Sequence, residues 1–273
     1  MAFLSANGVS LRYEVTGQGP PLCLIIGYHL HGAAWPHVFV ENLARHFSVL
    51  TFDNRGTGQS EKPASGYGLD VMAADVAGLL DGLGWSSAHV LGFSMGGAIA
   101  QELAIRNPER VDRLVLIATF PGGLLGIPAP WPVLRRLFDV EGLPPEEAAR
   151  QVWPVTYSAA YLAAHPEAVE AQMRREIAFP TPDYAARGQG AAIRAFSSGL
   201  RLSRIRADTL VATGNEDQLV PPGNARILAS GIRGARLAVL PGLGHRAIWE
   251  APEDAGALVT GFLAQDCVPT AAD

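Results

Sequence analysis

Cysteine, lysine and long apolar runs are scarce in this chain of 273 residues. The two cysteines, Cys23 and Cys267, are too few for a disulfide framework or a cysteine-based metal site, so we expect free thiols in a reducing cytoplasm. No apolar run reaches the ~18 residues of a membrane helix, so a membrane span is not expected. The N-terminal residues lack the basic and apolar regions of a signal peptide, so none is expected.

Charge is also sparse. Charged residues make up 17% of the chain, the formal net charge is −5, and no tract is rich in Lys or Arg, which argues against nucleic acid as a partner. Lys62 is the only lysine, and the use of Arg with abundant Ala and Gly is typical of a G+C-rich bacterial genome. The apolar fraction of 48% suits a soluble globular enzyme built as one large domain or one domain with an insertion.

What the chain does contain is a serine motif. Residues 92–97 read Gly-Phe-Ser-Met-Gly-Gly, which fits the pattern G-x-S-x-G. A strand-like apolar run precedes the motif and a helix-like run follows it. A sharp strand-to-helix turn pushes the serine hydroxyl out above a sheet, and side chains in place of Gly92 or Gly96 would clash in so tight a bend. This context predicts that Ser94 is a nucleophile; the alternative is an ordinary helix N-cap.

Strand and helix signals alternate over the first 120 residues. Apolar strand-like runs and periodic helix-like segments follow one another, at 9–15, 21–26, 35–46, 48–52, 69–83, 88–91, 98–104 and 113–118. Continuous apolar strands separated by helices predict a mostly parallel central sheet with helices on both faces, an α/β fold.

The alternation stops near Pro121. Residues 121–202 show helical periodicity, several prolines and no convincing strand, and alternation then resumes at 209–213. We therefore predict one α/β core domain, made of 1–120 and 203–273, with a helical cap inserted at 121–202.

A serine hydroxyl is a weak nucleophile at neutral pH and needs a base that is itself oriented by an acid. In a strand–turn–helix site of this type, the acid and then a histidine follow the serine along the chain. One polar loop after a strand-like run holds Glu216 and Asp217, and a Gly-rich loop after the last strand ends on His245. We predict His245 as the base and one of the two carboxylates as the acid.

An oxyanion hole would complete such a site. One donor is expected to be the backbone N–H of Met95, directly after the serine, and the other the backbone N–H of Tyr28, in the loop after the strand at 21–26. His29 and His31 lie in the same loop. Ordinary polar loop residues are the simpler interpretation for both, with substrate contact as the alternative.

These motifs resemble the α/β-hydrolase fold family with a helical cap, in particular carboxylesterases and 3-oxoadipate enol-lactonase-like proteins. The likeness rests on the serine motif, residues 52–60, the loop at 214–217 and the loop at 242–245. It favours Asp217 over Glu216 as the acid. Where the family often has His-Gly in the oxyanion loop, this chain has Ile26-Gly27.

The resemblance implies a serine hydrolase that cleaves a carboxylic ester or lactone through an acyl-enzyme. C–C bond, thioester or amide hydrolysis with the same triad is the alternative, as is a non-hydrolytic ligand-binding or biosynthetic protein. We expect a small, largely apolar substrate, no cofactor and no metal, and the sequence is compatible with a homo-oligomer. The predicted substrate-binding residues are Tyr28, His29, Trp131, Trp153 and Tyr157.

Overall fold

The computed structural model describes residues 2–140 and 142–264, in which strands and helices alternate. The strands are β1 Ala2–Ala6, β2 Val9–Thr16, β3 Pro21–Ile25, β4 Ser48–Phe52, β5 Ala88–Phe93, β6 Val111–Ile117, β7 Asp208–Gly214 and β8 Arg236–Leu240. The helices are α1 His37–Ala44, α2 Leu69–Gly82, α3 Met95–Arg106, α4 Trp131–Phe138, α5 Pro145–Thr156, α6 Ala159–Ala164, α7 Pro166–Ile177, α8 Asp183–Ala195, α9 Gly223–Gly231, α10 Ala247–Glu250 and α11 Pro252–Leu263.

The strands form one sheet in the order β1-β2-β4-β3-β5-β6-β7-β8. Its first two pairs, β1 with β2 and β2 with β4, are antiparallel, and all later pairs are parallel. Strand β5 lies between β3 and β6, at the point where the strand order reverses direction. Loops at the carboxyl ends of strands beside such a point form the usual ligand crevice of α/β sheets.

Both faces of the sheet are buried, as the apolar strands predict. In β3, Cys23 and Ile25 contribute to the core on one face, and Leu22 and Leu24 to the core on the other. Helices α2, α3 and α9 cover the first face, and helices α1 and α11 cover the second. The predicted α/β fold with helices on both faces is therefore confirmed. Cys23 is a free, buried thiol, whereas Cys267 lies outside the described residues.

Helices α4 to α8 occupy the chain between β6 and β7. Gly122 and Ser197 pair in an isolated antiparallel bridge, so this helical segment leaves and rejoins the core at one place. Two side-chain amides attach it to the core loops: Gln172 of α7 donates to the carbonyl of Ala34, and Gln189 of α8 donates to the carbonyl of Arg55. The segment thus lies against the loops that follow β3 and β4.

Two short elements are absent from the sequence-based prediction. Strand β1 pairs with β2 through the turn Asn7-Gly8, where both residues have positive φ, as the two-residue hairpin turn of this sequence requires. Helix α10 has four residues and follows the loop of His245. In the described ranges, no helix has the length and apolar character needed to cross a bilayer.

Candidate active site

Ser94 stands between β5 and α3 with φ of 54° and ψ of −120°. A non-glycine residue at positive φ costs about 1–3 kcal/mol and persists only where its surroundings hold it. The backbone N–H of Ser94 donates to the carbonyl of Ile117 at 3.0 Å, and its carbonyl accepts from the hydroxyl of Thr119 at 2.7 Å. Neighbouring strand β6 and the residues after it therefore hold the strained turn.

The glycines of the motif allow the close approach that this turn needs. A Cβ at Gly92 would lie 2.4 Å from the carbonyl oxygen of Gly96, and a Cβ at Gly96 would lie 2.0 Å from that of Ile25. Both separations are far below contact distance. The expected clash of side chains at these two positions is thus confirmed.

Three side chains from distant parts of the chain meet above β5. The imidazole of His245 lies with Nε2 at 3.1 Å from the Oγ of Ser94 and with Nδ1 at 2.8 Å from Oδ2 of Asp217. His245 and Asp217 are almost fully buried, while Ser94 is partly accessible. The ring of Phe93 packs beside the imidazole, with centroids 5.0 Å apart.

The loop after β7 fixes the orientation of the Asp217 carboxylate. Its Oδ1 accepts hydrogen bonds from the backbone N–H groups of Leu219 and Val220, at 2.9 and 2.7 Å. Oδ2 is left to face His245. The neighbouring Glu216 is exposed, so of the two carboxylates considered from the sequence it is Asp217 that contacts the imidazole.

The loop of His245 is held on both sides. The backbone N–H of Gly244 donates to Oε1 of Glu250 at 3.0 Å, and that of Arg246 donates to the carbonyl of Thr156 at 2.9 Å. A Cβ at Gly214 would lie 2.1 Å from the carbonyl oxygen of Leu243, so the loops after β7 and β8 are in close contact.

The loop after β3 passes alongside the serine. A Cβ at Gly27 would lie 3.2 Å from the Cβ of Ser94, and the side chain of Asn54 donates to the carbonyl of Ile26 at 3.1 Å. Met95 occupies the first position of α3, where the N–H has no acceptor within the helix. An oxyanion hole formed by the backbone N–H groups of Tyr28 and Met95 stays a prediction.

Known proteins share the fold of this chain. The sequence profile of the alpha/beta hydrolase fold matches residues 20–252. The chain belongs to the α/β-hydrolase family.

Several members of this family are similar along their whole length. The protein named "Putative carbamate hydrolase RutD" of Azorhizobium caulinodans is 29% identical over 262 residues, covering 96% of this chain and 98% of that one. The 2-hydroxymuconate semialdehyde hydrolase of a Pseudomonas species is 32% identical, covering 95% and 92%. The crystal structure of the enol-lactonase from Burkholderia xenovorans LB400 superposes with a TM-score of 0.85 at 28% identity, covering 97% and 100%. These comparisons support a hydrolase.

Two predicted substrate-binding residues of this α/β-hydrolase lie in the loop beside Ser94. The hydroxyl of Tyr28 donates to the carbonyl of Ala186 at 3.2 Å, and the phenol is partly exposed. His29 has a φ of 66°, and burial lowers the pKa of its imidazole, opposed by the nearby acidic groups of the helical segment.

The three predicted aromatic contacts in the helical segment have different surroundings. Tyr157 is buried, its ring stacked on Tyr161 and facing the guanidinium of Arg246, and burial raises its pKa to about 12. Trp153 is partly buried, and it packs against the core that includes Tyr157 and helices α1 and α11. Trp131 is 68% exposed and lines a depression formed by α4 and α5 that includes none of Ser94, Asp217 and His245. Substrate contact by these residues stays a prediction.

Sequence reasoning missed several residues that support the site. The carboxylate of Asp53 accepts from the backbone N–H of Gly32 and of Gln59, both at 2.7 Å, and so joins the loop after β3 to the turn after β4. His31, expected as a polar loop residue, is buried, with its Nε2 at 3.1 Å from the carbonyl oxygen of Arg175. Asp53 lies within residues 52–60, one of the segments on which the family resemblance rests, so the sequence did draw attention to its position.

Arg55 is a structural hydrogen-bond donor in the turn after β4. Its guanidinium pairs with the buried carboxylate of Asp75, with Nε at 2.6 Å from Oδ2, and Nη1 donates to the carbonyl of Gly66 at 2.8 Å. Gln189, in contrast, carried no signal, because its partners are more than 130 residues away in the chain.

Proposed function

We propose that this α/β-hydrolase is a serine hydrolase that cleaves a carboxylic ester or a lactone through an acyl-enzyme. The hydrogen-bonded chain from Ser94 through His245 to Asp217 carries the proposal. A serine, an imidazole and a buried carboxylate in this order form the arrangement that activates a hydroxyl for attack on an acyl carbon.

In the first step, the Oγ of Ser94 attacks the carbonyl carbon while Nε2 of His245 accepts the hydroxyl proton. The carbonyl oxygen becomes an oxyanion, which the backbone N–H groups of Tyr28 and Met95 stabilise. The tetrahedral intermediate collapses, the bond to the alkoxide breaks, and His245 gives its proton to that alkoxide.

In the second step, His245 takes a proton from water, the resulting hydroxide adds to the acyl carbon, and the Ser94 oxygen leaves with the proton returned by His245. Throughout both steps, Asp217 holds the imidazole with Nδ1 protonated and stabilises the imidazolium. The two backbone bonds to Oδ1 fit this task, because they leave one carboxylate oxygen for His245.

The segment 121–202 acts in this proposal as a cap over a small, largely apolar substrate. The hydrogen bonds that Gln172 and Gln189 make to the loops after β3 and β4 support it, because they place the segment against the edge of the sheet where Ser94 stands. The enol-lactonase among the similar structures agrees with an ester or lactone bond.

Hydrolysis of a C–C bond is the second candidate, and specific relatives favour it. The 2-hydroxymuconate semialdehyde hydrolase and the 2-hydroxy-6-oxo-6-phenylhexa-2,4-dienoate hydrolase of Comamonas testosteroni are 32% and 31% identical to this chain. The same serine, imidazole and carboxylate would then act on a carbonyl group whose bond to a neighbouring carbon breaks. Hydrolysis of a carbamate or a thioester would use the same three groups.

Labelling with a fluorophosphonate followed by mapping of the modified residue tests the nucleophile. We expect a single adduct on Ser94, none in Ser94→Ala, and full labelling in Ser65→Ala, which alters an exposed loop serine. Turnover is then measured on aryl esters, lactones, carbamates and vinylogous diketones. An adduct elsewhere contradicts the assignment of Ser94, and ligand binding without turnover on any of these classes favours a non-hydrolytic protein.

A further inference from the structure

In the loop after β3, three consecutive backbone N–H groups follow Gly27, which lies beside Ser94, and two of the three are already engaged. The N–H of Leu30 donates to the carbonyl of Gly27 at 3.4 Å, and that of His29 donates to Oε1 of Gln189 at 3.1 Å. The N–H of Tyr28 donates to no atom of the described residues. Of the three, Tyr28 is therefore the one whose N–H is available to a substrate oxygen.

Gln189 comes from α8, in the helical segment, and its side chain is completely buried. Its Oε1 accepts from His29, and its Nε2 donates to the carbonyl of Arg55 at 3.1 Å. Because both ends of the amide are bonded, its orientation is determined. The residue thus links the loop after β3 to the turn after β4.

The backbone at His29 needs such support. Its φ of 66° lies in the left-handed region, which side chains other than glycine adopt at a cost. Two more bonds from the same segment hold this part of the loop: Thr181 donates to the carbonyl of His29 at 3.3 Å, and the hydroxyl of Tyr28 donates to the carbonyl of Ala186. Among these bonds, only that from Gln189 engages the peptide between Tyr28 and His29 at its N–H.

We propose that Gln189 is a positioning residue for the oxyanion hole: by fixing the Tyr28–His29 peptide at the His29 N–H, it restrains the adjoining Gly27–Tyr28 peptide, whose N–H is the proposed donor beside Ser94. This assignment rests on the proposed function, in which Tyr28 is an oxyanion donor. A donor stabilises the transition state best when it is aimed beforehand at the place where negative charge develops. Loss of the Gln189 bond would leave the donor present but free to turn away.

The test is the variant Gln189→Met, whose side chain has a similar length, no donor and only the weak acceptor of a thioether. We expect kcat on p-nitrophenyl acetate to fall by about 10- to 100-fold, less than the 10²–10³-fold cost of removing a donor outright. KM should change by less than about threefold, because ground-state binding does not depend on this donor. The rate of phosphonylation by a fluorophosphonate should fall in parallel, since the phosphonyl oxygen needs the same N–H.

Gln189→Glu supplies the rescue. The protonated carboxyl keeps an acceptor for His29 and a donor for Arg55, so the kcat of this variant, divided by that of the wild type at the same pH, should rise as the pH is lowered within the stable range. Gln101→Met is the matched control: Gln101 is equally buried and bonds Gly97, Phe120 and Ser198 without contact to the loop. Its kcat and phosphonylation rate should stay within about threefold of wild type.

Unchanged kcat and phosphonylation in folded Gln189→Met overturn the assignment. An equal loss in Gln101→Met also overturns it, because the effect would then follow from losing any buried amide. If the kcat of Gln189→Glu does not exceed that of Gln189→Met at any pH tested, the assignment is also overturned. If the wild-type protein is not labelled at Ser94, the proposed function itself fails, and the role of Gln189 falls with it.

Discussion

The guanidinium of Arg246 pairs with the carboxylate of Glu176, with Nη2 at 3.0 Å from Oε2, and so joins the loop of His245 to helix α7. The rings of Tyr157 and Trp249 lie 5.1 and 5.3 Å from the guanidinium carbon. Both charged side chains are only 13% exposed. The residue after the proposed base is thus held by a residue of the helical segment, which connects the packing of that segment to the position of His245.

Removal of the Arg246 charge should destabilise the protein. In Arg246→Met, Glu176 keeps a largely buried charge without its partner, and breaking such a pair costs about 3–5 kcal/mol. The free energy of unfolding, measured by urea titration, checks this. Arg150→Met is the control, because Arg150 pairs with Glu170 between α5 and α7 at the protein surface and should lose little. Equal losses in the two variants would contradict a special role for the buried pair.

Asp217→Asn should lower kcat by about 10⁴-fold with little change in KM, because an amide in place of the carboxylate favours the wrong imidazole tautomer. Steady-state kinetics on an aryl ester measures the effect, and circular dichroism verifies the fold. Glu216→Gln is the control, since this adjacent carboxylate is exposed and should keep nearly full activity. If instead Glu216→Gln were the inactive variant, the assignment of the acid would be wrong.

The pH dependence of stability should contain a contribution from Glu250. Burial raises the pKa of this carboxyl above its ordinary 4.5, opposed by hydrogen bonds from Ser158 and Gly244, and Oε2 has no partner among the described residues. The folded state therefore binds the proton more tightly than the unfolded state. Stability from this group is highest below pH 4.5 and declines as the pH rises through the raised pKa.

Glu250→Gln isolates that contribution. The unfolding free energy of the variant minus that of the wild type should increase as the pH is raised from about 4 to about 8, since the amide does not ionise. Urea titrations at several pH values measure it. Glu253→Gln, which changes an exposed carboxylate at the start of α11, is the control: its unfolding free energy minus that of the wild type should not change with pH. A flat difference for Glu250→Gln would contradict a raised pKa for this carboxyl in the folded state.

Local patterns explain why much of the fold was predictable. The alternation of apolar strands and periodic helices depends on neighbours in the chain, so the mostly parallel sheet is predictable, and β4, at Ser48–Phe52, has the predicted bounds. The turn of Ser94 was predictable for the same reason, because the glycines of the motif lie within six residues and the strand and helix signals directly adjoin them. Strand β1 also has a local signal, the turn Asn7-Gly8 that joins it to β2.

Supporting contacts across the chain could not be predicted in this way. Gln189 and Glu176 bond residues 160 and 70 positions away, and nothing in their own segments distinguishes them from other polar residues on a helix. The surroundings of Trp131 were equally unpredictable, because an aromatic residue in a helical segment faces the site or solvent according to how the helices pack. Tertiary packing, not local preference, decides such positions.

Gly96→Ala tests how tightly the serine turn is built. The added Cβ would lie 2.0 Å from the carbonyl oxygen of Ile25 in backbone that both β3 and α3 fix, so the turn must open to admit it. We expect a loss of stability above the about 1–3 kcal/mol typical of overpacking, together with loss of ester turnover. Gly261→Ala is the control at an exposed position of helix α11, where a Cβ meets nothing within 4 Å and should stabilise by up to about 1 kcal/mol. Thermal and urea unfolding of both variants separates the two cases, and a Gly96→Ala protein as stable and active as wild type would mean that the strand-to-helix turn can relax around a methyl group.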